Sequence, residues 1–178
     1  VSKVTGDYDS ESLFNHFNKR SLYDGVIEGY KSHLASHTRT LVFNVNVEHT
    51  IQMTQRFNEA GIVSKCITSL TPQKERERTL TAFHNGEFPV LNNCGILTTG
   101  YDEPSITGVI MNRATKSLPL WLQCQGRASR PYEGKECFTV LDYGDNHKYL
   151  GLWSEPRKWS LDKPSKRQKK QAAPIKIC

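Results

Sequence analysis

At 178 residues the chain is long enough for one domain with a sizeable core, and no apolar run approaches the ~20 residues that span a membrane. Its net charge of +6 is unevenly placed: residues 157–178 carry eight Lys/Arg against one Asp, which leaves residues 1–156 near −1. The basic balance belongs to the tail, so it does not predict a basic binding face on the folded part. Five scattered cysteines, Cys66, Cys94, Cys124, Cys137 and Cys178, are odd in number and lack pair spacing. They argue against a disulfide framework and for reduced thiols in a cytoplasmic protein. No signal peptide opens the chain, and its start at Val1 leads us to expect a piece of something longer.

Residues 1–9 are polar, with Gly6 and two aspartates, and are expected to form a linker entering the domain. Leu13, Phe14 and Phe17, then Leu22, Tyr23, Val26, Ile27, Tyr30 and Leu34, recur at helical spacing and predict helices over 10–19 and 21–36. Thr40 to Val45 is a short apolar run of buried-strand type. Val47 to Ala60 returns to helical periodicity and stops at Gly61, a residue suited to ending a helix. A second strand is expected over 62–68. Thr71-Pro72 then reads as N-cap and first residue of a charged helix that buries Leu80 and Phe83, reaches Asn85 and closes at Gly86. Further strands are expected over 88–92, 107–111 and 137–142. Short buried strands alternating with helices imply βαβ units, hence a three-layer α/β/α sandwich with a mainly parallel sheet. Ligands of such sheets bind beyond the carboxyl ends of the strands.

The stretch Gln123-Cys124-Gln125-Gly126-Arg127-Ala128-Ser129-Arg130 stands immediately before Pro131. Read as a helix, it stacks Gln123, Arg127 and Arg130 on one face. Gly126 inside a helix costs about 1 kcal/mol relative to alanine, which suggests that something approaches the backbone there. Pro131 disfavours helical geometry at Arg130, so both arginines fall in the final turn. Two guanidiniums and an amide on one face form a fork for phosphate oxygens. A solvated helix with two ordinary arginines is the plainer reading of the same spacing.

Upstream, just beyond the third expected strand, lies Thr98-Thr99-Gly100-Tyr101-Asp102. It matches a T-x-G-[aromatic or aliphatic]-D pattern, and Gln123 to Arg130 matches Q-x-x-G-R-x-x-R. In this order, with a strand between them, the two resemble motifs V and VI of superfamily 2 helicases. The resemblance runs from about Ser10 to Trp159 and is to RadD-like and phage-type members of the DEAD/DEAH group. It implies a RecA-like helicase C-terminal domain over 10–156, the second of two such domains. Neither a G-x-x-x-x-G-K-[ST] loop nor a DEAD-type box occurs in the chain. ATP and Mg²⁺ are therefore expected to be held mainly by an N-terminal RecA-like domain of the same protein, and this chain alone is expected to be inactive.

From the resemblance, Arg127 and Arg130 reach across to the γ-phosphate, with Arg130 as the arginine finger, and Gln123 holds the arginines or the attacking water. Gly100 permits a backbone conformation or an approach that a side chain would block. Asp102 is expected to contact the ATP ribose or orient the arginines, although it also reads as a helix N-cap before Glu103-Pro104. Thr98 and Thr99 are expected on the phosphates of a nucleic acid, DNA by the resemblance. Asn44 and Asn46, at motif IV, are expected to touch the same strand, and Thr68-Ser69 is a looser match of that kind. The implied whole is a monomeric ATP-dependent helicase or translocase in the cytoplasm of a bacterial or phage-infected cell. The motor of a restriction-type translocase, or a non-catalytic RecA-like module binding nucleic acid or a partner, fits the same motifs.

Two stretches depart from the usual pattern. Asn92-Asn93-Cys94-Gly95 stands where an apolar-Ala-Thr-Asp run is usual, and Ala128-Ser129 stands where many relatives have Thr-Gly. The basic tail beyond residue 157 is expected to be a disordered run with salt-sensitive affinity for phosphates. Relatives often continue into a zinc-binding segment, which would make Cys178 a severed first ligand.

Overall fold

The computed structural model describes residues 6–36 and 39–159. Most of the basic tail, Cys178 with it, lies outside the described residues, as does the start of the expected linker. The elements run α1 (Ser10–Phe17), α2 (Arg20–His33), β1 (Thr40–Asn44), α3 (Val47–Glu59), β2 (Ser64–Ile67) and α4 (Gln73–His84). They continue with β3 (Val90–Asn93), β4 (Gly108–Asn112), α5 (Leu118–Gly126), β5 (Thr139–Asp142) and α6 (Asn146–Leu150).

The five strands form one sheet in the order β2-β3-β1-β4-β5, and every neighbouring pair is parallel. β1 and β4 are buried along their whole length, as central strands covered on both faces must be, whereas β5 at the edge is only half-buried. Alternate residues of the strands feed two cores. Leu41, Phe43, Leu91, Val109 and Met111 pack with Phe83, Phe88, Ile106 and Trp121 on one face. Val42, Val90 and Ile110 pack with Tyr23, Val26, Tyr30, Met53 and Phe57 on the other. The expected α/β/α layers follow directly from that alternation.

Local signals place most boundaries. Asp9 accepts a hydrogen bond from the Ser12 amide at the start of α1, and Asn46 does the same for His49 at the start of α3. Gly61 and Gly86, both with φ near +80°, turn the chain away from α3 and α4 (+79° and +76°). At α4 the capping differs from expectation. Pro72 occupies the cap position, and the Thr71 hydroxyl oxygen instead accepts from the Thr68 amide at 2.9 Å, closing the turn out of β2.

The largest departure is α5. It starts at Leu118, capped by Ser117 with a proline in its first turn, and it ends at Gly126. Arg127 caps the helix, and its amide and that of Ala128 close a tight last turn on Cys124 and Gln125. Arg130 therefore lies beyond the helix, and no single helical face carries Gln123, Arg127 and Arg130. What fixes the helix is its apolar start: Trp121 is fully buried and its indole N–H donates to the Gly151 carbonyl at 3.0 Å. Gly126 also differs from expectation. A Cβ built there would meet nothing within 4 Å in this chain, because the residue sits at the half-exposed helix end.

Residues 6–9 of the expected linker are tied to the domain. Asp7 accepts from the Lys116 amide and the Thr115 hydroxyl, both at 2.7 Å, and lies 3.6 Å from Arg113.

Candidate functional site

The loop between β3 and β4 wraps around one guanidinium. Arg127 donates from Nη1 to the Tyr101 carbonyl at 2.6 Å and from Nη2 to the Thr98 carbonyl at 2.8 Å. Its buried Nε has no partner among the described residues. Burial, and then the like charge of Arg130, pull its pKa below the ordinary arginine value. Arg127 is thus the pin on which the Thr98–Tyr101 loop is folded. Two carbonyls aimed at one cation explain why the loop needs unusual backbone at Gly100, where φ is +74°. A Cβ at Gly100 would meet nothing within 4 Å, so conformation and not crowding selects glycine.

Arg130 is placed differently. Its Nη1 donates to the Tyr101 carbonyl at 3.2 Å and makes a close ion pair with Asp102. Among the described residues its Nη2 and Nε have no partner, and a third of the side chain is exposed. Asp102 is largely exposed and no helix follows it, so it is the carboxylate partner of Arg130 and not an N-cap. A guanidinium with free donors, held by an exposed carboxylate, is equipped to take an anionic oxygen presented from outside the chain.

The far side of the loop is fixed by a second cluster. The buried Glu103 carboxylate accepts from the Ser105 hydroxyl and amide and meets His84 Nδ1 at 2.6 Å. Burial pushes the Glu103 carboxyl up, but the hydrogen bonds from Ser105 and His84 outweigh it and hold the group below its usual value. Arg39 reaches the carbonyls of Phe83 and His84 at the end of α4, where a cation suits the helix dipole. The loop is therefore anchored to α4 as well as to Arg127.

The remaining expected residues divide. Thr99 is exposed, with no hydrogen-bond partner among the described residues, whereas the Thr98 hydroxyl donates inward to the Gly95 carbonyl at 2.9 Å. Gln123 is exposed on α5 and holds neither arginine; the buried amide is its neighbour Gln125, which donates to the Trp121 carbonyl. Asn44 is corrected outright. It is fully buried, accepts from Asn112 Nδ2 at 2.9 Å and donates to Asn92 Oδ1 at 3.1 Å, so no strand can reach it. Asn46 gives its side-chain oxygen to the α3 cap. Thr68 is buried, and its hydroxyl oxygen accepts from the Leu70 amide. Among the described residues no three His, Cys, Asp or Glu side chains gather as metal ligands would.

Sequence reasoning missed Lys135. Its ammonium donates to the carbonyls of Pro104 and Arg130, both at 2.9 Å, and burial lowers its pKa. It lies in a turn beside Gly134, where no periodicity marks it.

Residues 19–132 match the family model described as the helicase conserved C-terminal domain. The chain belongs to this family. It is 32% identical over 145 residues to the putative ATP-dependent helicase IRC3 of Saccharomyces cerevisiae, covering 80% of this chain and 21% of that protein. It is 30% identical over 162 residues to a 51.5 kDa protein of a Lactococcus phage, covering 89% of this chain and 35% of the phage protein. The chain thus spans about a fifth to a third of the curated relatives it matches. Among solved structures, the fold is similar to a fragment of a putative HsdR subunit of a type I restriction enzyme from Vibrio vulnificus. That match has a TM-score of 0.68 at 23% identity, covering 85% of this chain and 32% of that one. The C-terminal domain of the DEAD-box protein Dbp5 matches with a TM-score of 0.63 at 18% identity, over 75% of this chain and 81% of that domain. The helicase domain is accordingly of the RecA-like C-terminal type expected from its motifs.

Proposed function

We propose that this domain is the second half of an ATP-dependent motor that moves on nucleic acid, DNA by its resemblance, and that Arg130 is its arginine finger. The observation that carries this reading is the contrast between the two arginines. Arg127 is committed to two loop carbonyls, whereas Arg130 keeps free donors and a solvent-facing carboxylate partner that an incoming phosphate can replace. The charge that develops on a transferring phosphoryl group is stabilised by such a guanidinium, an effect worth about 10³–10⁵ in turnover in related systems. Asp102 orients the finger until nucleotide arrives. ATP and Mg²⁺ would be held chiefly by a first RecA-like domain, because this chain has no phosphate-cradling loop. Thr99 and neighbouring backbone amides of the same loop are the groups left to meet a strand's phosphates.

The test is nucleic-acid-stimulated ATP turnover by the full-length protein, with and without Arg130→Ala. We expect a loss of two orders of magnitude or more, with the fold intact. Unchanged turnover would strip Arg130 of this role and leave a different arginine to supply the charge, or a domain that only binds, to explain the match. Running the wild-type assay with DNA and with RNA of one sequence identifies the strand.

A further inference from the structure

The segment that carries Arg130 has little to hold it. α5 ends four residues earlier, at Gly126, and Pro131 follows with no amide hydrogen to give. Among the described residues the Arg130 carbonyl accepts no backbone hydrogen bond, and Ser129 is tied only through its hydroxyl to the Gly126 carbonyl at 3.2 Å. A cleft lined by Ser129, Arg130, Pro131, Lys135 and Phe138 opens beside the segment, so packing does not confine it on that side. Ala128 is buried in the core, but a side chain asked to meet a phosphate within a few tenths of an ångström needs more than the sparse backbone ties of the two residues after it.

We propose that Lys135 is a positioning residue for the arginine finger, acting as a clamp that joins the backbone of Arg130 to the end of the Thr98–Pro104 loop. The inference rests on the reading of Arg130 given above. The ammonium group donates to the Arg130 carbonyl at 2.9 Å and to the Pro104 carbonyl at 2.9 Å, so one side chain bridges the two motifs at their backbones. Asp102 and Tyr101 bridge the same motifs at the guanidinium. Root and tip of the finger are thereby referred to one loop, which Arg127 and Glu103 in turn hold rigid. When a phosphate displaces Asp102, the tip keeps only its Tyr101 contact, and Lys135 remains the contact that fixes where the finger starts. A charged donor suits this place: hydrogen bonds from an ammonium are stronger than neutral ones, and a four-carbon stem can reach both carbonyls from a turn. Lys135 touches no reacting atom in this scheme.

The experiment measures steady-state ATP turnover of the full-length protein with saturating nucleic acid, comparing wild type, Lys135→Met, Lys135→Arg, Arg130→Ala and the Lys135→Met/Arg130→Ala pair. A misplacement of about 1 Å can cost on the order of 100-fold. Lys135→Met is therefore expected to lower kcat by about 10- to 100-fold with the KM for ATP changed less than about threefold, because the clamp acts on transition-state placement and not on ground-state binding. Lys135→Arg, which keeps two donors, should recover most of the turnover. On the Arg130→Ala background, Lys135→Met should add less than about twofold, since a clamp without its finger has nothing to place. Unchanged kcat in Lys135→Met overturns the proposal if Arg130→Ala is impaired, and so does a full further loss in the double variant. Unchanged turnover in Arg130→Ala sinks the finger reading itself, and the clamp with it. Should Lys135→Met melt below the assay temperature, Lys135→Gln, whose shorter amide cannot span both carbonyls, is held to the same criteria.

Discussion

Two polar regions meet the sheet, one within its strands and one in the loop after β3, and they are built to opposite ends. Under α3 a ladder crosses four strands: Asn112 donates to Asn44, Asn44 to Asn92, Asn92 to Ser64 and Ser64 to the Val90 carbonyl, at 2.8–3.2 Å. All five residues are buried, and His49, ringed by Phe14, Phe17 and Tyr23, lies 3.4 Å from Asn112. On the other side, the Thr98–Asp102 loop and its arginines are half-open to solvent. In the sequence both regions read as polar residues near strand ends. The first turns its polarity inward and is satisfied by itself; the second leaves donors facing out. Capacity to take an outside ligand lies where hydrogen-bonding groups remain unmet, not where polar residues are most concentrated.

The sharpest way to break this contrast is Arg127. Arg127→Ala strands the Thr98 and Tyr101 carbonyls and should destabilise the domain by roughly 3–4 kcal/mol, read by denaturant unfolding. Arg130→Ala, which removes a solvent-exposed pair, should cost under about 1 kcal/mol. Equal destabilisation by the two would mean that the pinned arginine and its more open neighbour are not distinct.

Acid should attack the sealed side first. Burial lowers the His49 pKa from 6.5 to about 4, so the unfolded chain binds a proton that the folded chain refuses between those values. The stability that His49 contributes is complete above pH 6.5 and is lost as pH falls towards 4. The window is worth about 3 kcal/mol at 1.36 kcal/mol per pH unit. Unfolding curves at pH 7 and pH 5 should differ less in His49→Gln than in the wild type; an unchanged difference would acquit the histidine.

Asn92→Leu removes the middle of the ladder, taking one of two partners from Asn44 and from the Ser64 hydroxyl, and should cost about 2 kcal/mol, while the ATP turnover of the folded protein stays near wild type. A turnover loss larger than the fraction unfolded would join the ladder to the active side. Gln123→Ala is the smallest expected change. The side chain is exposed and touches neither arginine, so stability should move by less than about 0.5 kcal/mol and turnover by less than about twofold. A tenfold loss would restore Gln123 to the site.

Much of the fold was legible because its causes are local. Leu13, Phe17, Val26 and Tyr30 repeat at the helical period, Leu41 to Phe43 form an unbroken apolar run, and Gly61 and Gly86 end their helices by positive φ. The arginine stretch misled because its helical spacing runs on past Gly126, whereas in the fold Arg127 turns to the carbonyls of Tyr101 and Thr98, 26 and 29 residues away. Asn44 misled for a related reason: a polar residue at a strand end looks the same whether its partners are solvent or Asn92 and Asn112, which lie 48 and 68 residues on.

The sequence by itself determined the layers, the parallel sheet, the two motifs and the family to which they belong, because periodicity and motif spacing survive in one dimension. Only the tertiary structure decided which arginine is free, which asparagines are sealed, and that Lys135 joins the two motifs. Those answers depend on where each hydrogen bond finds its partner. Distant segments compete for the same donors, and burial alone settles which of them are left to face a ligand.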